Sequence, residues 1–215
     1  MPIPFAGQTL WLDARAALWW PDEQTLIVAD LHFEKASFLG QFANPLPHYD
    51  SLDTLSRLEE LVAHYQPEQV VCLGDSLHDV RAAERFDEVT LKRLNNLCNS
   101  ICQWVWVTGN HDPEIPAMIC GARTKALRLH DILLVHEPVK ENAPQIIGHF
   151  HPKLSLRIKG QKLRGKCFCV NEARLLLPAF GSFTGGLDSE HDAIAACMRE
   201  AFSRYLIHRQ KVWAV

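Results

Sequence analysis

Five apolar runs in this chain each stop on a residue able to hold a cation, and that repetition narrows the folds open to it. Residues 25–29 lead into Asp30, 69–74 into Asp75, 104–109 into Asn110 and His111, 132–135 into His136, and 145–148 into His149-Phe150-His151. Short runs rich in Val, Ile and Leu and bounded by turn residues read as buried strands. In a layered α/β fold such strands end along one sheet edge, and their spacing sets the distances between the groups they carry.

The intervening segments fit that class. Gln8 to Leu12 and Ala16 to Trp20 read as a hairpin, followed by a turn at Pro21-Asp22-Glu23. Leu52, Leu55, Leu58, Leu61 and Val62 fall at helical spacing, with Asp50 or Ser51 as N-cap and Pro67 closing the region. A second helix is expected over about residues 82–97 and a third within 190–206, and the apolar strand 212–215 either closes a sheet, the preferred reading, or forms a dimer edge. There is no internal repeat or linker, and 47% apolar content suits one sizeable core, so a single domain over 1–215 is expected.

A net charge of -3 argues against binding nucleic acid or membrane through bulk charge, so any basic surface has to be local. The seven cysteines are odd in number and lack framework spacing, so free thiols are expected. The first residues carry no basic segment followed by an apolar one, and no apolar run approaches the roughly 20 residues that span a bilayer. The expectation is a cytoplasmic protein with no membrane partner.

Alternation along an extended chain would put Asp30 and His32 on one side with Leu31 in the core, and would do the same for His149 and His151. Gly74 and Gly109 let the backbone turn so that Asp75 can bridge two cations and Asn110 can approach. Oxygen and imidazole donors without thiolate suit Mn²⁺ first, then Fe or Zn²⁺, in open five- or six-coordinate geometry. Two such ions would activate water and polarise a phosphoryl group, with His111 protonating the leaving oxygen. One Asp or His at a strand end is usually a cap or turn residue. Here, however, six of the eleven histidines (His32, His78, His111, His136, His149 and His151) lie in or beside these motifs, which scatter does not explain.

Asp-x-His, Gly-Asp, Gly-Asn-His-Asp, a lone His after a strand and Gly-His-x-His, in that order, resemble the signature of the calcineurin-like metallophosphoesterases. That resemblance implies a four-layer αββα sandwich of two mixed sheets. It also implies one metal on Asp30, His32 and His151, another on Asn110, His136 and His149, Asp75 on both, and His111 facing substrate. Segments 28–35, 73–79 and 177–186 further resemble the bacterial DNA-ligase-associated branch. This implies a DNA-repair endonuclease or phosphodiesterase working with an ATP-dependent DNA ligase and a helicase. Where the superfamily often has a second Asp after Gly-Asp, this chain has His78. It either contacts phosphate, orients a ligand, or is structural. Asp112 either orients the His111 imidazole or is a helix N-terminal acid.

After His151 come Lys153, Arg157, Lys159, Lys162, Arg164 and Lys166 with no acid before Glu172. Alternation puts Lys153, Arg157 and Lys159 on one strand face, and a turn at Gly160-Gln161 would continue the surface with Lys162, Arg164 and Lys166. Such a basic hairpin would bind phosphates flanking the scissile one; the plain alternative is a solvated or edge-protecting face. Phe33, Phe38 and Phe42 either stack on bases or pack locally, and Thr184-Gly185-Gly186 is either a phosphate-binding or a tight structural turn. Three functions follow: a DNA phosphodiesterase or nuclease, a phosphatase or phosphodiesterase for a small ester, and a non-catalytic repair component.

Overall fold

The computed structural model describes residues 1–41, 49–158 and 160–215. At the centre of a seven-stranded sheet, β4 (Thr25–Val28), β5 (Gln69–Leu73) and β6 (Gln103–Val107) run parallel. Leu26, Val28, Val70, Cys72, Trp104 and Trp106 enter one core, while Ile27, Val71, Leu73, Val105 and Val107 enter another. Both faces are dry, which is why these strands read as unbroken apolar runs. The antiparallel strands β3 (Ala17–Trp20), β2 (Gln8–Asp13) and β1 (Pro2–Phe5) extend one side, and β7 (Ala122–Thr124) pairs in parallel on the other. β1 and β7 are edge strands with no apolar run to announce them.

The outer face of this sheet is covered by α2 (Tyr49–Tyr65) through Leu55, Leu58 and Leu61, and by α3 (Glu88–Asn99) through Leu94 and Cys98. Its inner face meets a second sheet. There β9 (Ile132–Val135), β10 (Gln145–Ile147) and β13 (Arg174–Leu176) run parallel, with β8 (Ala126–Leu129), β12 (Gln161–Val170), β14 (Ser203–His208) and β15 (Lys211–Ala214) antiparallel to their neighbours. Ile132, Leu134, Ile146, Phe168 and Leu175 fill the layer between the sheets. Leu133, Val135, Ile147, Cys167 and Leu176 face α4 (Asp192–Met198). The order is helix, sheet, sheet, helix, the four-layer α/β sandwich that the motifs imply. None of the described helices is long and apolar enough to cross a membrane.

Local departures have physical causes. α2 begins at Tyr49, so Asp50 and Ser51 lie inside its first turn rather than capping it. Their side chains instead accept from the amides of Ala36 (2.8 Å) and Glu34 (2.8 Å), at the start of α1 (Lys35–Gly40). The helix expected over 82–97 splits into a 3₁₀ turn at Ala82–Arg85 and α3, because Asp87 caps α3 by accepting from the Thr90 amide at 2.9 Å. Asp30 and His32 are not on an extended chain: both have positive φ (56° and 48°), as do His149 and His151 (68° and 47°). Left-handed backbone, not pleat alternation, brings each pair together.

β11 (Lys153–Ile158) pairs with β12 in the register Lys153↔Lys166, Ser155↔Arg164 and Arg157↔Lys162, so these side chains share a face. Arg157, Lys162 and Arg164 are exposed. Lys159 lies outside the described residues. Lys166 corrects the expected surface, since its ammonium turns inward and donates to the carbonyls of Ala179 (2.6 Å), Phe180 (3.3 Å) and Gly181 (3.0 Å). Burial, then the nearby Arg57 charge, brings its pKa down to about 7. Lys153 is half-buried and donates to the Thr184 carbonyl at 3.2 Å.

The two fates are separable by urea unfolding. Lys166→Met strips three carbonyls of their donor and is expected to cost about 1–3 kcal/mol, whereas Arg164→Ala should stay within about 0.5 kcal/mol of the parent. Equal effects would show that Lys166 does not tie the 179–181 segment.

Candidate metal centre

The parallel strands of both sheets end at one edge of the sandwich, and their loops carry every motif residue singled out in the sequence. Asp30 and His32 follow β4, Asp75 follows β5, and Asn110 and His111 follow β6; His136 follows β9, and His149 and His151 follow β10. A side chain at Gly74 would overlap the His136 ring, and one at Gly109 would overlap the Asp75 carboxylate. Both glycines therefore permit close approach between loops from different strands.

Two groups of donors result. Ligand atoms of Asp30, His32, Asp75 and His151 lie within 4.8 Å of one another, as do those of Asp75, His136 and His149. Asp75 belongs to both. Asn110 Oδ1 completes the second group, 3.1 Å from His136 Nε2 and 3.0 Å from His149 Nδ1. In the first group the Nε2 atoms of His32 and His151 face each other at 3.3 Å, and His151 Nε2 is 3.2 Å from Asp30 Oδ1. Buried imidazole nitrogens and carboxylate oxygens converging without thiolate suit hard or borderline divalent cations. The residues present fit a pair of such ions.

The surroundings orient these donors. His136 Nδ1 donates to the Leu73 carbonyl at 3.0 Å, which turns Nε2 towards Asp75 Oδ1 at 3.3 Å. The Glu137 carboxylate lies 3.5 Å from His149 Nε2, leaving Nδ1 for the centre, and the His149 amide donates to Asp30. Burial disfavours charge on His136, but Asp75 and Asp30 outweigh it and raise the pKa to about 9. Asp75 is the counterpart. Burial works against its ionisation, yet His136, the His111 amide and His32 hold the carboxyl at about 2. Burial, with His151 beside it, lowers His32 to about 2, and burial with His136 lowers His149.

His111 sits at the mouth with its ring 42% exposed. Its amide donates to Asp75 Oδ1 at 2.9 Å and its Nδ1 donates to the His78 carbonyl at 2.8 Å, so Nε2 points inward, 4.0 Å from Asp75 Oδ2. His78 thus acts on His111 through its main chain, and the two rings stack at 5.4 Å with 20° between planes. Phe38 meets the His78 ring edge-on at 4.9 Å, and burial lowers the His78 pKa to about 4.

Asp112 does neither of the things expected of it. No helix starts there, and its carboxylate accepts four backbone amides: Asp75 (3.0 Å), Ser76 (2.7 Å), Leu77 (3.0 Å) and Gly109 (2.8 Å). Burial raises its pKa to about 6 against the pull of those amides. Phe33 is buried in the core beside Phe86, Phe42 lies outside the described residues, and the Thr184 hydroxyl closes a structural turn onto the Gly181 carbonyl at 3.1 Å. Sequence reasoning passed over Glu137 and also Lys35, whose charge is felt by both His32 and His78. Glu137 adjoins His136 in the sequence, and Lys35 ends the segment 28–35 that carries Asp30 and His32.

The family model described as calcineurin-like phosphoesterase matches residues 24–173. Among solved structures, nuclease MPE of Pseudomonas putida is similar at 34% identity, over 100% of this chain and 99% of that one, with a TM-score of 0.78. Yfce, a phosphoesterase from E. coli, is similar at 15% identity over 89% of this chain and 97% of its own, with a TM-score of 0.44. No curated protein matches. The family match spans most of the chain and contains every candidate ligand, so this protein belongs to the calcineurin-like phosphoesterase family and is a metal-dependent hydrolase.

Proposed function

We propose that this hydrolase cleaves phosphodiester bonds in DNA, as a repair endonuclease or phosphodiesterase. The observation that carries the reading is the exposed cationic face of Arg157, Lys162 and Arg164, on a hairpin that begins two residues after the candidate ligand His151. Cations there would grip phosphates flanking the scissile one without reading sequence. The likeness to a nuclease at 34% identity over the whole chain supports the same reading. A cytoplasmic setting suits seven free thiols, and a place beside an ATP-dependent ligase and a helicase is proposed from the motif resemblance.

Asp30, His32 and His151 would hold one ion, Asn110, His136 and His149 the other, and Asp75 both, with Mn²⁺ the first choice for this donor set. When bound, two such ions supply Lewis-acid polarisation of phosphoryl oxygens and a nucleophile active at neutral pH. His111 supplies the proton. With Nδ1 anchored on the His78 carbonyl, Nε2 is free to deliver a proton to the departing oxygen, and the exposed side of the ring leaves room for substrate.

Three measurements test this reading. Saturating Mn²⁺ at about 100 times its dissociation constant should raise the melting temperature of the parent by roughly 5–10 °C, and Asp75→Asn should abolish most of that shift; an unchanged shift would remove Asp75 from the centre. His111→Gln should lower kcat about 10²- to 10⁴-fold while the Mn²⁺ shift persists, and undiminished turnover would end its role as acid. Reversing Arg157, Lys162 and Arg164 to Glu should abolish cleavage of single-stranded DNA and spare a small aryl phosphodiester. Loss of neither, or a parent enzyme that cuts cyclic nucleotides or monoesters but no DNA, points instead to a small-ester substrate.

A further inference from the structure

The chain between Gly181 and Leu187 is bonded at both ends to the turns that carry Asp30, His32 and His151. The Phe180 and Gly181 amides donate to the carbonyls of Ala29 (2.7 Å) and Asp30 (3.1 Å), and the Lys153 amide donates to the Leu187 carbonyl at 2.8 Å. A side chain at Gly181 would overlap the Leu31 carbonyl, and one at Gly186 the His151 carbonyl. Between these anchors the loop is braced again. The Ser182 amide donates to Thr54 Oγ1 at 3.1 Å, the Ser182 hydroxyl bonds Asp53, Arg57 donates to the Phe180 carbonyl at 2.8 Å, and Lys153 holds the Thr184 carbonyl.

On this fixed loop Phe183 stands 49% exposed. Two residues of extended chain span at most about 7 Å, so its Cα lies within that distance of Gly181 Cα, itself packed on the Leu31 carbonyl between Asp30 and His32. Of the other exposed aromatics among the described residues, Trp11 and Trp213 lie on strands β2 and β15, and Tyr49 starts α2, whose Asp50 and Ser51 bond the amides of residues 34 and 36 rather than the turns at Asp30, His32 or His151. About half of Phe183 faces water on a loop held by several hydrogen bonds, so the ring offers an apolar face whose covering by a ligand would be favourable. The Asp53 carboxylate is bonded on the Ser182 side of the loop, and a cation stands on the Gly186 side. The Lys153 stem runs along Gly186, its ammonium has two donors beyond the one given to Thr184, and it feels Arg164 and Lys35.

We infer that Phe183 is the stacking platform of a nucleotide subsite beside the scissile phosphate, with Lys153 facing an adjoining phosphate. The inference rests on the nuclease reading above and adds which residue meets a base. A planar aromatic beside cations fits a nucleobase–phosphate unit of any sequence, because every base offers a π face.

The test compares two strands of equal length, one of thymidine nucleotides and one with a tetrahydrofuran abasic sugar at every position. The parent enzyme with Mn²⁺ should prefer the thymidine strand in kcat/KM by roughly tenfold or more. Phe183→Ala should lose that preference, Phe183→Leu should lose most of it although the loop stays apolar, and Phe183→Trp should keep it. Retention of the full preference by Phe183→Ala, or no preference in a parent that cuts both strands, overturns the inference and leaves the nuclease reading standing. A parent that cuts neither strand but hydrolyses an aryl phosphodiester overturns both.

Discussion

One carboxylate with four backbone donors joins the loops from which the centre hangs. Asp112 accepts from Asp75, Ser76 and Leu77 on the β5 loop and from Gly109 on the β6 loop, so neither strand end can move without breaking a charge-assisted bond. Asp75 is the residue most in need of that restraint, because it is common to both donor groups and any displacement would spoil both. The second sheet reaches the same carboxylate through His136, whose ring fits over Gly74 and whose Nδ1 is pinned to Leu73. The inter-sheet layer of Ile27, Val71, Leu73, Leu134 and Leu175 sets the gap that this ring closes.

Five of the seven candidate ligands sit on strained backbone. Asp30, His32, Asp75, His149 and His151 all have positive φ, a region that costs an L-residue about 1–2 kcal/mol. The strain persists because the turns are bonded to one another. The Asp30 amide donates to the Gly74 carbonyl, that of His32 to Asp75, and that of Phe33 to Ser76, while the Gly181 amide donates to the Asp30 carbonyl. The left-handed turns therefore exchange main-chain bonds across loops, a pattern that fixes side-chain direction more tightly than a frayed strand end would.

The sequence displays the centre so fully because the strands leading to it are buried on both faces and their polar terminators interrupt unbroken apolar runs. Where no such contrast exists, legibility falls. β1 and β7 lack an apolar run, and Asp50 and Ser51 look like caps for α2 but bond the start of α1 instead, a partner that is 14 and 17 residues away. The Asp30–His32 pairing was anticipated for the wrong geometry, since side-chain spacing does not reveal the sign of φ. Asp112 carries the same letter whether it orients an imidazole, starts a helix or binds amides, and only three-dimensional proximity to residues 75–77 decides.

Lys153 and Lys166 make the same point in electrostatic terms. They oppose each other in the hairpin register and would have equal standing in any charge count, yet one meets a single carbonyl and the other three. The difference lies in the 179–186 segment, which folds back over the end of the hairpin nearest the metal centre and surrounds the inward ammonium. With Lys166 spent on holding that segment, the outward cations that remain, Arg157, Lys162 and Arg164, lie further along the hairpin, and the exposed ring of Phe183 lies on the segment Lys166 secures. Donors for the ions come from both sheets, but these peripheral groups all come from the chain after His151. On the proposed reading, hydrolytic chemistry and substrate recognition are carried by different stretches of the fold, so recognition can change while the centre stays the same.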